Sequence, residues 1–281
     1  MKSFYKKIKS YLFKSAINTS FDTFNLENVS ITSLNTYTGV KTEISKTVSP
    51  HFQISHVSSM GADFDIKQTY ATFCFNNLLL QTSIDQDKIF RIRGTHMFKN
   101  LLTKFHTVIG RSKDIFTQIE VDIKNKYNNM CIKMIQPAIK GASCIYVGNY
   151  MQQLGVISLG GEIIKADEYI GLSFVGRYEG IGSISTISLQ QFNTLSIDYY
   201  KTLSSICDVG IKISTDREKS VNYGLGVKLH SKKGEIIGCV DNNHILSIIY
   251  NDKLSEGLTL NLSCRFGKKV FDYGYGFIYE F

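Results

Sequence analysis

From Val40 to Phe281 the chain alternates apolar and polar residues in short runs, a period of two that only an extended strand converts into one greasy face and one wet face. Leu258, Leu260, Leu262, Cys264 and Phe266 stand against Thr259, Asn261, Ser263 and Arg265. Ile115, Thr117, Ile119, Val121 and Ile123 stand against Phe116, Gln118, Glu120, Asp122 and Lys124, and Val221, Tyr223, Leu225, Val227 and Leu229 against Asn222, Gly224, Gly226 and Lys228. In the last ten residues Tyr273, Tyr275, Phe277, Tyr279 and Phe281 share one parity, while Asp272, Gly274, Gly276, Ile278 and Glu280 share the other. A strand that crosses a membrane in a barrel asks for this pattern, with aromatics at the lipid interfaces and small or polar groups toward water. Turn signals such as Asp85-Gln86-Asp87, Asn128-Asn129, Lys232-Lys233-Gly234 and Asp241-Asn242-Asn243 separate the runs.

The roughly 240 residues after the first 39, at about 12 to 13 per strand and turn, make about 18 to 20 strands of membrane-barrel length. A soluble sandwich would bury one face of each strand against a second sheet, and a propeller would show a blade-length repeat, which is lacking. Closure into a barrel removes the edges, so the fold class expected is all-β, a large transmembrane barrel over 40–281 preceded by a basic, helical segment over 1–39. No run of about 18 apolar residues exists to form a membrane-crossing helix. Only two prolines occur, Pro50 and Pro137, both between strand-like runs where a missing ladder donor is tolerated.

The opening residues carry Lys2, Lys6, Lys7, Lys9 and Lys14 around a helical stripe of Phe4, Ile8, Tyr11 and Leu12, which reads as a short basic amphipathic helix of targeting or membrane-surface type. Farther on, Leu26, Val29 and Leu34 permit a second helix between Phe24 and Thr38. The six cysteines are widely spaced with no CxxC pair, and read as apolar fillers in a reducing compartment. His51 and His56, five apart, fall on opposite faces of a strand, against joint metal binding. Gly180-Ile181-Gly182 and Gly274-Tyr275-Gly276 lack the third glycine of a dinucleotide loop, and Ser173 lacks the glycines of a nucleophile elbow, so no catalytic constellation, cofactor or metal is expected. Net charge is +8, yet the charges are scattered along the chain, not gathered among aromatics as a nucleic-acid surface requires.

Four segments, in order along the chain, resemble the import-pore branch of the mitochondrial porin superfamily. Gly39-Val40-Lys41 with Ser49 to His56 is similar to its first hairpin, and Gly141 to Lys165, ending in Leu159-Gly160-Gly161-Glu162, to its central hairpin. Gly238 to Ile245 is similar to a late Gly-x-Val-Asp turn. Asp272, Gly274, Phe277 and Tyr279 fit the polar-x-Gly-x-x-hydrophobic-x-hydrophobic signal for insertion into the outer membrane, which other mitochondrial barrels share. The chain departs from the family in a short leader and in a divergent stretch over 70–113.

The resemblance implies a 19-stranded barrel with a parallel first and last pair, a helix over Glu27 to Thr38 inside the pore, and an outer-membrane location in a mitochondrion or a mitochondrion-derived organelle. It also implies passage of unfolded precursor proteins with targeting sequences. Its partners would be a single-spanning receptor, small single-helix subunits, membrane lipid and a second copy of the pore. The rival of the same superfamily is a metabolite or anion porin, and the rival of another class a soluble basic β-protein. Taking the more polar parity of each strand as inward, the lining includes the acids Glu120, Asp122, Glu162, Asp198 and Asp208, expected to touch basic presequences, or else simply to pair with neighbouring cations. The same rule turns inward Asp63, Asp65, Lys67, Arg91 and Arg93, and the basic set Lys104, Lys124, Arg177, Lys212, Lys228 and Arg265.

Overall fold

A computed structural model describes residues 19–61, 65–111, 114–139, 141–218, 220–268 and 271–281. The basic stripe of residues 4 to 12 and Asp63 lie outside them. Nineteen strands form one closed sheet. They are β1 (Gly39–Ser49), β2 (Phe52–Met60), β3 (Asp65–Phe75), β4 (Leu78–Asp85), β5 (Phe90–Phe98), β6 (Leu101–Ile109), β7 (Ile115–Lys124), β8 (Asn128–Gln136), β9 (Ile145–Leu154) and β10 (Ile157–Ala166). The ring continues with β11 (Tyr169–Gly180), β12 (Ser183–Gln190), β13 (Thr194–Thr202), β14 (Cys207–Asp216), β15 (Val221–His230), β16 (Gly234–Asp241), β17 (Leu246–Ser255), β18 (Leu258–Phe266) and β19 (Phe271–Glu280).

Neighbours in sequence pair antiparallel throughout, and an odd number of hairpin-linked strands leaves the first and last pointing the same way. β1 and β19 therefore close the ring in parallel, from Gly39 opposite Gly274 to Ser45 opposite Glu280. Thr47 N–H donates to the Phe281 carbonyl and Phe281 N–H to that of Ser45, both at 3.1 Å, extending the seam to the last residue. The aromatics of β19 point outward and are exposed, while Gly274 and Gly276 point inward and are buried.

β7 and β18 occupy the ranges their alternation predicts. The Asn128-Asn129 turn is corrected: both residues already belong to β8, and the bend is at Asn125 to Tyr127. Asp65 and Lys67 are corrected too, because the ladder pairs them with Met60 and Ser58 on the outer face. In β3 both parities are polar, with Gln68, Tyr70 and Thr72 on one side and Asp65, Lys67 and Thr69 on the other, so relative polarity does not identify the wet side.

Residues 19–38, the described part of the segment before β1, lie in the lumen. A 3-10 turn (Phe21–Thr23) leads into α1 (Leu26–Thr32). The helix starts one residue before Glu27 and stops six short of Thr38, at a Ser33 cap whose N–H bonds the Val29 carbonyl. Its docked stripe is not Leu26, Val29 and Leu34, for Leu26 is exposed. Phe21, Phe24, Asn28, Ile31 and Thr32 are the buried residues, at the three-and-four spacing of one helical face.

Candidate functional site: the lumen wall

Inside the barrel, small inward residues make room for α1. A Cβ at Gly226 would sit 2.5 Å from Ile31 Cγ2, and one at Gly210 2.6 Å from Asn28 Oδ1. Phe21 and Phe24 pack on Met151 of β9 and Val175 of β11, an apolar inward patch that the polar-parity rule does not reveal.

Around this patch the segment is fastened by charge. Arg177 on β11, only 2% exposed, holds Glu27 through both terminal nitrogens at 2.9 Å, Glu179 through Nε at 2.8 Å, and donates to the Phe24 carbonyl. Asp198 on β13 accepts hydrogen bonds from Asn25 at 3.0 Å, Asn28 at 3.1 Å and Thr186 at 3.2 Å. Lys133 on β8 pairs with Asp22 at 2.5 Å. A bidentate, desolvated guanidinium with three acceptors is a strong clamp, because removing it strands two carboxylates near an apolar surface.

Burial pushes the Glu27 carboxyl up, and the hydrogen bonds and charge of Arg177 more than offset this, leaving it below the usual carboxylate range. A group lowered in this way stabilises the docked state above its ordinary value and loses that contribution as pH falls through the depressed one. The thermal-stability difference between wild type and Glu27→Gln is thus expected to be constant near neutrality and to vanish only below the usual carboxylate range. A difference that disappears already around pH 6 would mean that this carboxylate does not carry the clamp.

The predicted acids all turn inward, in different company. Glu120 and Asp122 on β7 share Lys104 of β6, at 2.5 and 2.9 Å. Asp208 on β14 meets His230 Nε2 at 2.7 Å, and Asp198 is the anchor for α1. Glu162 on β10 stands opposite Ser173 in the ladder and has no ion pair within 4 Å among the described residues, the nearby Lys133 being engaged by Asp22. Of the basic set, Lys228 pairs with Glu235 at 2.6 Å and Arg265 reaches Asp272 at 3.7 Å; Lys124 and Lys212 share the inward parity of Asp122 and Asp208. Asp22, Glu120 and Cys131 bring ligand-type atoms within 4.8 Å of one another, but the ammonium groups of Lys133 and Lys104 already balance the two carboxylates.

The residues predicted to form an insertion signal divide between the faces: Phe277 and Tyr279 point outward, Asp272 and Gly274 into the lumen. Gly274 has a neighbour that local sequence spacing gave no sign of. A Cβ there would meet the Tyr37 ring at 2.8 and 2.9 Å, and Tyr37 itself donates from its hydroxyl to the Asn261 carbonyl at 2.8 Å and from its backbone to Ser263 at 3.1 Å.

The family model described as eukaryotic porin matches residues 25–276, which takes in α1 and nearly every strand of the barrel. The chain belongs to the eukaryotic porin family. This porin is 24% identical over 243 residues to mitochondrial import receptor subunit TOM40 homolog 2 of Drosophila melanogaster, covering 78% of this chain and 71% of the relative. It is 22% identical over 190 residues to mitochondrial import receptor subunit tom40 of Neurospora crassa, covering 63% of this chain and 54% of that one. Among solved structures, a mutant of the Rh. blastica porin is similar with a TM-score of 0.43 at 8% identity, over 79% of this chain and 88% of that chain. Family and fold together make this porin a multi-pass β-barrel of the mitochondrial outer membrane, with the architecture of a channel.

Proposed function

We propose that the barrel is the channel of an outer-membrane protein translocase, through which unfolded precursor proteins pass into a mitochondrion or a mitochondrion-derived organelle. The observation that carries this reading is the extended match to an import receptor subunit, over 243 residues, on a chain that closes into a barrel. The lumen chemistry supports it. Wall charges are mostly paired and α1 is clamped to one side, so a passing chain meets a mixed surface whose contacts are individually weak. The channel acts passively, without catalysis, and its partners are a single-spanning receptor, small single-helix subunits and a second copy.

Among the acids, Glu162 is the first candidate for a presequence contact, since it has no ion pair within 4 Å among the described residues and, unlike Asp198, does not hold α1. In planar bilayers a basic amphipathic presequence peptide is expected to block the conductance while an acidic control does not. Glu162→Gln should raise the blocking concentration severalfold, and replacing Glu120, Asp122, Asp198 and Asp208 by their amides should add less per residue. Anion preference with no peptide effect would replace this reading with the metabolite porin.

A further inference from the structure

Away from α1, strands β3, β4 and β5 enclose a recess of about 140 Å³ in the lumen wall, lined by Gln68, Tyr70, Gln81, Ser83, Arg91 and Arg93. Arg91 and Arg93, two apart on β5, share the inward face, and the ladder sets them opposite Ser83 and Gln81. Their charges are not equally answered. Arg91 meets Asp85 at 3.0 Å, whereas Arg93 has no ion pair within 4 Å among the described residues. His106 of β6, opposite Arg93, has its Nε2 buried without a hydrogen-bond partner. Ser83 and Gln68 are already aligned, for Tyr70 donates to Gln68 Oε1 at 2.6 Å and Gln68 donates to Ser83 Oγ at 3.0 Å, which leaves the Ser83 proton directed elsewhere. The other charges near the recess are Glu43 of β1, which acts on Tyr70, and the Lys104 and Glu120 pair beyond His106.

We propose that this recess binds a phosphate-class oxyanion, with the guanidiniums of Arg91 and Arg93 as charged forks and Ser83 and Gln81 as neutral donors. Planar guanidiniums match phosphate oxygens two at a time, and in a recess only partly exposed to water the attraction exceeds that of a lone surface arginine. The volume suits an ion of phosphate or pyrophosphate size with part of its hydration. The strands that line it stand apart from β8 to β11 and β13 to β16, which hold α1 and the turn before it, so the site is independent of the clamp. An anion held there would exchange with the lumen, changing its local charge without closing it. This inference does not depend on what the pore conducts.

The test is pyrophosphate titrated into the full, refolded chain in zwitterionic detergent, followed by phosphorus NMR line broadening. Wild type should broaden the signal saturably, with sulfate competing and acetate not. Arg93→Gln should weaken binding about tenfold and the Arg91→Gln/Arg93→Gln double variant should abolish it, while the charge-matched Lys232→Gln/Lys233→Gln control, in the turn before β16, binds as wild type. Arg93→Lys should recover only part, since it restores charge without the fork. Because Arg93 holds no ion pair among the described residues, its substitution tests binding in a folded barrel even if the double variant fails to fold. Equal binding by wild type and Arg93→Gln, or equal loss in the lysine control, would overturn the proposal.

Discussion

Substituting Arg177 by methionine is expected to release α1 from the barrel wall at a cost of about 3 kcal/mol, the range for removing one partner of a buried ion pair. Most of that cost arises from what stays behind. Glu27 and Glu179 lose their shared cation, and the Phe24 carbonyl loses its donor. Glu27 is partly exposed, which places the effect nearer the lower end of the range. Thermal unfolding in detergent would register the loss, and protease cleavage within residues 25–36 would report the released helix. The triple variant Arg177→Met, Glu27→Gln, Glu179→Gln should recover part of the stability by removing the stranded charges. An Arg177→Met barrel that melts with wild type and protects α1 equally would show that apolar packing alone holds the segment.

Gly274→Ala is expected to be nearly as damaging, about 1 to 3 kcal/mol, because the added methyl must displace both the Tyr37 carbonyl, its nearest contact, and the Tyr37 ring. Gly274 thus has a packing reason for its identity beside its place in the proposed insertion signal, and a double-mutant cycle separates the two. Refolding into detergent, with no cellular machinery, should fail or slow for Gly274→Ala and improve in part when Tyr37→Ala removes the ring and lets the residual backbone contact relax, with a coupling of at least about 1 kcal/mol. Wild-type refolding of Gly274→Ala combined with failed insertion in organelles would assign the glycine to recognition.

Where strict alternation met a predominantly apolar outer face, as in β7 and β18, the sequence predicted both the strand and the direction of each side chain. β3 resisted the same treatment because a polar outer face, with Lys67 and Thr69, leaves no contrast to read. The inward direction of Glu120, Asp122 and Asp198 was legible from parity, but their company was not. Asp198 is joined to Asn28 across 170 residues, and Lys133 to Asp22 across 111, separations at which sequence spacing carries no information. The face that α1 buries was misread for a related reason: its buried stripe includes Asn28 and Thr32, polar residues that make sense only against the wall they face.

The parallel seam also bears on the order of assembly. Every other strand pairs with its immediate successor, so those ladders can zip from local contacts, each closing a short loop. β1 must instead wait for β19, since Gly39 and Gly274 stand at opposite ends of the sheet until the ring is complete. Local hairpins close short loops and this one pairing closes the whole chain, so the seam is expected to be the slowest step of folding, which refolding kinetics of Gly39 and Gly274 variants would check. Until it forms, two strand edges stay open, so a chaperone or membrane factor that shields β1 and β19 would govern yield more than anything acting on the hairpins between them.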